Sequence, residues 1–386
     1  MALTIKNIIA NVSNKDISLV AGAGGTGRFV SWIHMVESVV STDFLEGNEI
    51  AVTTGIGLNP GNNLLELVIS MDTHHVAAVI VNIGPFLAEV PQPVLDYCNE
   101  HDLPLYIVPW KVHLSEIIRM ITLMITKDAQ REQETAAAFK NAIFFPKEPD
   151  LYIVPLSQYG YSDSWNYSAI SISLMGAKDC EARMKDLAEA LDSYVQHHFA
   201  FCTIFYYEKK IVCAIGNCDT EKLHSYTNEL LSYTNSLLLP GEKICAGTGK
   251  ITKSARCIYK SYWQADKIRR LHVKGNLPKD QIYYDDMNIY KILMAVDDRE
   301  VLQEYYEKTV LPLSEYDQAH GSDLLSTLQV YLKNNCSVKE TADEMFVHRN
   351  TINYKIRRIG EILDTDLSDL MVRTSLQIGL MIQNIL

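Results

Sequence analysis

The sequence predicts a multidomain α/β plus all-α protein. A mixed α/β block comes first, an α+β block follows, and a helical block with a helix-turn-helix ends the chain. Three observations predict it. The chain has 386 residues, room for two or three domains that each bury a core. Short β-branched runs alternate with helical ones as far as about Asp286. From about Asn288 to Leu386 helical spacing dominates.

In the first block, residues 1–126, Glu49–Thr54 and Val76–Ile83 are apolar and β-branched, which reads as strand. The second run stops at the breaker pair Gly84-Pro85. Pro91–Cys98 reads as a helix and Leu105–Val108 as a short buried strand. His113–Phe145 then reads as one long helix, with Leu114, Ile117, Ile118, Ile121, Met124 and Ile125 at helical spacing. It is either a surface helix on its own domain or an interdomain, dimer-forming helix. Spacing alone does not separate the two. Residues 127–150 are assigned as a helical linker.

The second block, residues 151–287, opens with the alternating strand Tyr167–Met175. Helix Glu181–His198 follows, then a hairpin of Phe199–Tyr207 and Ile211–Ile215 turning at Glu208-Lys209-Lys210. Helix Thr220–Leu239, strand Ile244–Thr248 and helix Ser254–His272 complete it. The order βαββαβα predicts a ferredoxin-like or nucleotide-cyclase-like sheet.

The third block, residues 288–386, carries the most specific signal. Leu324, Leu325, Leu328, Tyr331 and Leu332 mark one amphipathic helix, ended by Asn334-Asn335. Ser337 with Glu340 forms a capping-box pattern for a short helix, Val338–Met345, with small Ala342 where a partner can approach. A third helix runs from about Asn350 to Leu363. At ~100° per residue, Ile352, Ile356, Ile359 and Leu363 share one face. Asn350, Asn353, Tyr354, Arg357 and Arg358 lie opposite, flanked by Thr351 and Lys355. Four Lys/Arg and no Asp/Glu lie between Phe346 and Gly360. An apolar docking face with a cationic, amide-rich outer face is what a recognition helix needs in the major groove. Arg reads guanine, Asn reads adenine, and Arg, Lys, Thr and Tyr bind phosphates. His348, Arg349, Asn350, Thr351, Asn353, Tyr354, Lys355, Arg357 and Arg358 are therefore the candidate DNA contacts. A solvated charged helix in an ordinary bundle is the plainer alternative.

The stretch Glu344-Met345-Phe346-Val347-His348-Arg349-Asn350-Thr351-Ile352-Asn353-Tyr354-Lys355-Ile356-Arg357-Arg358-Ile359 resembles the C-terminal signature of PucR/CdaR-type bacterial transcription regulators. Asp366-Leu367 and Leu376-Gln377-Ile378-Gly379-Leu380 fit the same pattern. Val30–Glu37, Glu49–Gly55 and Leu103-Pro104-Leu105 resemble the N-terminal domain of purine catabolism regulators. Gly247-Thr248-Gly249 with Ser261-Tyr262-Trp263-Gln264-Ala265 is similar to that family's central GGDEF-like domain. The resemblance implies a ligand-responsive regulator of a catabolic operon. Its N-terminal domain would sense a metabolite, with purines or purine derivatives as the leading class, and its C-terminal domain would bind promoter DNA. A homodimer or higher homo-oligomer follows from the need of one small helix-turn-helix for a second half-site.

Within the block that resembles the sensor, Arg28, Trp32, His34, Glu37, Thr53, Thr54 and Gly55 are the candidate effector residues. A planar, polar heterocycle wants an aromatic face and donors and acceptors along its edge. Trp32 offers the face, Arg28 and Glu37 the edge partners, Thr54-Gly55 hydroxyl and backbone groups. The alternative has Trp32 in the core and Arg28 paired with Glu37.

Enzyme signatures fail on inspection. Gly22-Ala23-Gly24-Gly25-Thr26-Gly27 matches GxGxxG, but Phe29–His34 starts a helix poorly, so a glycine-rich turn is expected. Gly247-Thr248-Gly249-Lys250 lacks the flanking residues of a P-loop, with Ile244 and Ile251 at the diagnostic positions. A working cyclase needs carboxylates that hold two metal ions, and the hairpin offers only Glu208 beside two lysines. His74-His75, if on a strand, point to opposite faces and make a poor ligand pair. No catalytic residue, metal or cofactor is assigned. A nucleotide-binding or cyclase-like enzyme is the alternative function.

Net charge is −12, and residues 1–130 carry −7 of it, 6 Lys/Arg against 13 Asp/Glu. That excludes a uniformly basic nucleic-acid binder but not one with a local cationic helix. Eight scattered cysteines without a CxxC pair, no signal-like start and no long apolar run point to a cytoplasmic protein with no membrane partner.

Overall fold

A computed structural model of the chain describes residues 3–12, 16–58, 63–275, 277–296 and 298–386. These pack as two compact units. One comprises residues 1–139, 154–160 and 193–203; the other comprises 140–153, 161–192 and 204–386.

The first unit is built on a five-stranded sheet. Helix α1 (Ile5–Val12) precedes β1 (Ser18–Ala21), β2 (Trp32–Met35) and β3 (Glu49–Thr53). Then come α2 (Leu64–Thr73), β4 (Ala78–Ile83), α3 (Gln92–Glu100), β5 (Leu105–Pro109) and α4 (Leu114–Phe144). The strand order is β1-β5-β4-β3-β2; β2 to β5 run parallel and β1 closes the edge antiparallel. Central parallel strands are covered on both faces, so they read as continuous apolar runs, and every residue of β3 is buried. Ile50, Val52, Ile80 and Val108 pack with Ile5 and Ile8 of α1 and Ile117 and Ile121 of α4. Ala51, Val79 and Val81 pack with Leu67 and Met71 of α2 and Val94 of α3. The long helix forms as the spacing predicts. Its first turns bury Ile117, Ile121 and Ile125 on their own sheet, which favours the surface-helix reading for that stretch.

The glycine-rich segment is a 3₁₀ turn, Ala23–Gly27, between two strands, and no α-helix follows it. Gly22 sits at φ +70, and a side chain there would run into the Leu103 carbonyl. Its N–H donates to Asn99 Oδ1 at 2.9 Å. Gly22, Gly24 and Gly25 allow a close approach to the 102–104 segment that a side chain would block. His74 and His75 are not on a strand, as the spacing argument assumed. His74 caps the end of α2, its ring nitrogen 2.8 Å from the Ser70 carbonyl, and His75 turns at φ +58. No cluster of His, Cys, Asp and Glu suited to a metal ion exists among the described residues.

The central segment runs α5 (Ile153–Gln158), β6 (Tyr167–Met175), α6 (Cys180–His198), β7 (Cys202–Tyr207), β8 (Lys210–Gly216), α7 (Thr220–Ser236), β9 (Lys243–Thr248) and α8 (Ile258–Val273). Its sheet order is β7-β8-β6-β9, with β6 antiparallel to both β8 and β9. The hairpin turn is Glu208-Lys209, both at positive φ, one residue shorter than the sequence suggests. Lys210 instead begins β8 and is buried, 3.4 Å from Asp266 Oδ1. Arg269 and Arg270 close on the same carboxylate at 2.9 and 2.8 Å. Burial alone would raise the Asp266 pKa, but these cations hold it below the usual carboxylate value.

The C-terminal segment is all helix: α9 (Ile289–Met294), α10 (Arg299–Thr309), α11 (Leu311–His320), α12 (Leu324–Lys333), α13 (Val338–Glu344), α14 (Arg349–Leu363) and α15 (Leu370–Ile385). Leu313, Leu324, Leu328, Ile359, Leu367 and Leu376 form its core. Among the described residues, no helix is long and apolar enough to cross a membrane.

Candidate nucleic-acid interface and effector site

Three local devices hold α12, α13 and α14 in a helix-turn-helix. Asp317, at the end of α11, accepts from the Leu324 and Leu325 N–H groups at 2.9 and 2.8 Å, and so caps α12. Burial pushes its pKa up, yet the bonds from Ser322, Leu325 and Leu324 outweigh that and hold it below the usual carboxylate value. Ser337 caps α13 by accepting from the Glu340 N–H at 3.3 Å. The reciprocal half of the expected capping box is pre-empted, because the Ser337 N–H donates to the Asn334 carbonyl at 2.9 Å. Glu344 accepts from Lys333 at 2.6 Å and Asn334 at 2.8 Å, tying the ends of α12 and α13 together. Ala342 is buried, as a close helix approach requires.

Helix α14 divides as its periodicity predicts. Ile352 and Ile359 are fully buried. His348, Arg349, Asn350, Thr351, Asn353, Tyr354 and Arg357 are exposed. His348 has a structural task as well: its Nδ1 accepts from the Asn350 N–H at 3.3 Å and caps the helix. Lys355 and Arg358 depart from the uniform outer face that the angular plot gives. Lys355 is drawn inward to Asp323 Oδ1 at 2.5 Å. Arg358 donates to the Tyr316 hydroxyl and to Glu361 Oε2, the latter at 2.8 Å. Long cationic side chains at the edge of a face reach partners on neighbouring elements that a helical wheel does not show. Phe346, in the turn before α14, was no candidate in the sequence, yet it is 94% exposed at φ +55.

The seven candidate effector residues do not form one cluster. Four meet at the carboxyl end of β3. The Glu37 carboxylate accepts from the Thr53 hydroxyl at 2.9 Å, the Thr54 N–H at 3.0 Å and the Thr54 hydroxyl at 2.7 Å. Gly55 follows at φ +77. Arg28 does not pair with Glu37. Its guanidinium donates to the Val76 and His101 carbonyls, each at 3.1 Å, and lies 3.9 Å from Asp72. Trp32 is not a core residue; it stands 47% exposed on the edge strand β2, two positions before half-exposed His34.

Sequence reasoning missed other groups at the same carboxyl edge. Asn82, at the end of β4, is buried and donates to the Val108 carbonyl at 3.0 Å. Phe86 and Trp110, after β4 and β5, form an exposed edge-to-face pair 5.8 Å apart. Ligands of parallel sheets bind at the carboxyl ends of strands, so each strand's last residues were the available signal.

Residues 7–125 match the purine catabolism regulatory protein-like family, and residues 324–382 match the PucR C-terminal helix-turn-helix domain. The chain is 28% identical over 222 residues to the proline-responsive transcriptional activator PutR of Bacillus subtilis, covering 56% of this chain and 54% of that protein. It is 32% identical over 123 residues to the purine catabolism regulatory protein of the same organism, covering 32% and 22%. The DNA-binding transcriptional activator AdeR, also of B. subtilis, is 23% identical over 129 residues, covering 33% and 31%. The chain thus spans about half the length of the first relative and less of the others. It carries a PucR family domain at one end and a PucR C-terminal helix-turn-helix domain at the other, and its matched relatives are regulators of that type.

Proposed function

We propose that this protein is a ligand-responsive transcription regulator that binds promoter DNA through α14 and senses a metabolite with its N-terminal domain. The observation that carries this reading is the outer face of α14: seven exposed side chains rich in Asn and Arg, with no acid between Phe346 and Gly360. Asn350 and Asn353 have the chemistry for adenine, Arg349 and Arg357 for guanine or phosphate, and Thr351 and Tyr354 for phosphate. His348 orients the helix start, while Lys355 and Arg358 mainly fasten α14 to its neighbours.

The N-terminal reading rests on the carboxyl edge of the parallel sheet. Glu37 gathers three donors there, and no cation is paired with it among the described residues. An effector with N–H donors suits that carboxylate, and the Phe86–Trp110 pair suits a planar or apolar body. Purines fit this chemistry, and one relative is named for purine catabolism; another is named for its response to proline, so both classes belong in a screen. The central βαββαβα segment, read from its sequence resemblance as a GGDEF-like domain, serves structure or dimerisation in this reading. Domain limits follow at residues 1–126, 127–150, 151–287 and 288–386. In this reading the protein is not an enzyme, works in the cytoplasm and acts as a homodimer or higher homo-oligomer.

The test is binding of the full chain to its own upstream DNA. Asn350→Ala and Arg357→Ala should each weaken specific binding by about 1–3 kcal/mol while leaving thermal unfolding unchanged. Unchanged affinity in both variants would overturn the assignment of α14.

A further inference from the structure

A cavity of about 620 Å³ opens beside the recognition helix, between the turn after α12, the second half of α14, the 364–369 segment and the start of α15. Two polar groups in its wall are buried without a hydrogen-bond partner among the described residues: the Thr365 hydroxyl and the Arg373 Nε–H. Native folds leave few such groups, and here two line one cavity. The Arg373 guanidinium is held in place, since its Nη2 donates to the Ser368 carbonyl at 3.3 Å. Cys336, also in the wall, lies against the same guanidinium, whose Nε–H is left without a hydrogen-bond partner among the described residues.

The charge of the wall points to the ligand's sign. Arg373 and Arg357 both line the cavity, and Arg357 is largely exposed at its mouth. The one lining acid, Asp366, is already engaged. Its two oxygens accept from the Ser368 N–H and the Ser368 hydroxyl, each at 2.8 Å. The unspent capacity is therefore donors and positive charge. A guanidinium with a free Nε–H and a neighbouring hydroxyl match a tetrahedral oxyanion.

We propose that this cavity is an oxyanion site that takes a phosphate group. Two sources share that chemistry. One is a backbone phosphate of bound DNA, which rests on the function proposed above and adds Thr365 and Arg373 to the DNA-contacting surface. The other is a free phosphate, inorganic or on a small metabolite, which does not rest on that function.

The experiment uses the full chain, Thr365→Val and Arg373→Met. Thr365→Val removes the hydroxyl and keeps the shape, so it decides the matter if Arg373→Met fails to fold. In the first arm, inorganic phosphate is titrated at constant ionic strength, with chloride as control, and the melting temperature is followed. A saturable rise in the parent chain that is lost in the variants assigns a free phosphate. In the second arm, affinity for a DNA duplex is measured against salt. A fall of about one in the slope of log K against log salt assigns a backbone phosphate. If neither the phosphate response nor the salt slope distinguishes the variants from the parent, the cavity is not an oxyanion site. If the parent binds no DNA, the proposed function fails and the phosphate arm alone decides this site.

Discussion

The Arg358 Nη2 donates to the Tyr316 hydroxyl at 3.2 Å, and its guanidinium carbon lies 5.2 Å from the centre of the same ring. About 100° round the helix, Arg357 stays largely in solvent, with Glu361 Oε1 at 3.6 Å and the Tyr354 ring centre 5.9 Å from its guanidinium carbon. Two adjacent arginines thus have opposite roles. Arg358→Ala should lower the melting temperature and change the DNA salt slope little. Arg357→Ala should leave melting unchanged and reduce that slope by about one. Calorimetry and DNA titrations on the two variants check this, and a swapped pattern would refute it.

The split between these two residues also marks how far the sequence was legible. Periods of 3.6 and 2 residues placed β3 to β5, α3 and α4, the elements from β6 to α8, and α12 to α14, because they record which side chains must leave water; α1, α2, α5, β2, α9 to α11 and α15 were not individually assigned. The buried face of α14 at Ile352 and Ile359 was readable for the same reason. Arg358 and Lys355 were not, because their partners Tyr316 and Asp323 lie on other elements, and only tertiary packing brings them close. Which effector candidates converge was hidden for the same reason. Glu37, Thr53 and Thr54 meet because β2 pairs with β3, whereas Arg28 is only nine residues from Glu37 yet binds carbonyls at positions 76 and 101. Nearness in sequence says little about convergence in a sheet. Asn82, Phe86 and Trp110 needed the strand order before their common edge could be seen.

Asp317 gives the helix-turn-helix an acid sensitivity. Its folded pKa lies below the ordinary carboxylate value, while in the unfolded chain it is ordinary. The unfolded state therefore binds the proton more readily. The stabilisation is fully present above the unfolded pKa of about 4 and is lost as pH falls through the folded value. Asp317→Asn should cost about 1 kcal/mol near neutral pH, the range of a lost helix cap, and the deficit should shrink below about pH 4. Chemical denaturation of both proteins across that range reads the difference. A deficit independent of pH would refute the role of the charge.

Gly379 tests the packing that anchors the C-terminal helix. A Cβ at this position in α15 would run into the Thr309 side chain and come within 2.7 Å of Val310 Cγ2. In an isolated helix, Gly→Ala would stabilise by about 1 kcal/mol. Here overpacking costs about 1–3 kcal/mol. Thr309 cannot swing away freely, because its hydroxyl donates to the Tyr305 carbonyl at 2.6 Å. Gly379→Ala should therefore be net destabilising in thermal or urea unfolding, and a gain in stability would show that α10 and α15 pack less closely than this.

Glu37 separates sensing from folding. Its two carboxylate oxygens satisfy the Thr54 N–H and two hydroxyls, so Glu37→Ala leaves three donors without their acceptor and should cost about 1–3 kcal/mol. Glu37→Gln keeps an acceptor oxygen and the side-chain shape but removes the charge. If Glu37 recognises the N–H groups of an effector, the charge matters more to binding than to folding, because charged acceptors make the stronger hydrogen bonds. A thermal-shift screen of purines, ureides and amino acids on the parent chain should find a compound that raises the melting temperature. With Glu37→Gln, the free protein should melt close to the parent while the ligand-induced rise falls sharply. An undiminished rise would move the effector away from the carboxyl edge of β3, whereas a collapse of the free protein would make Glu37 a structural cap and nothing more.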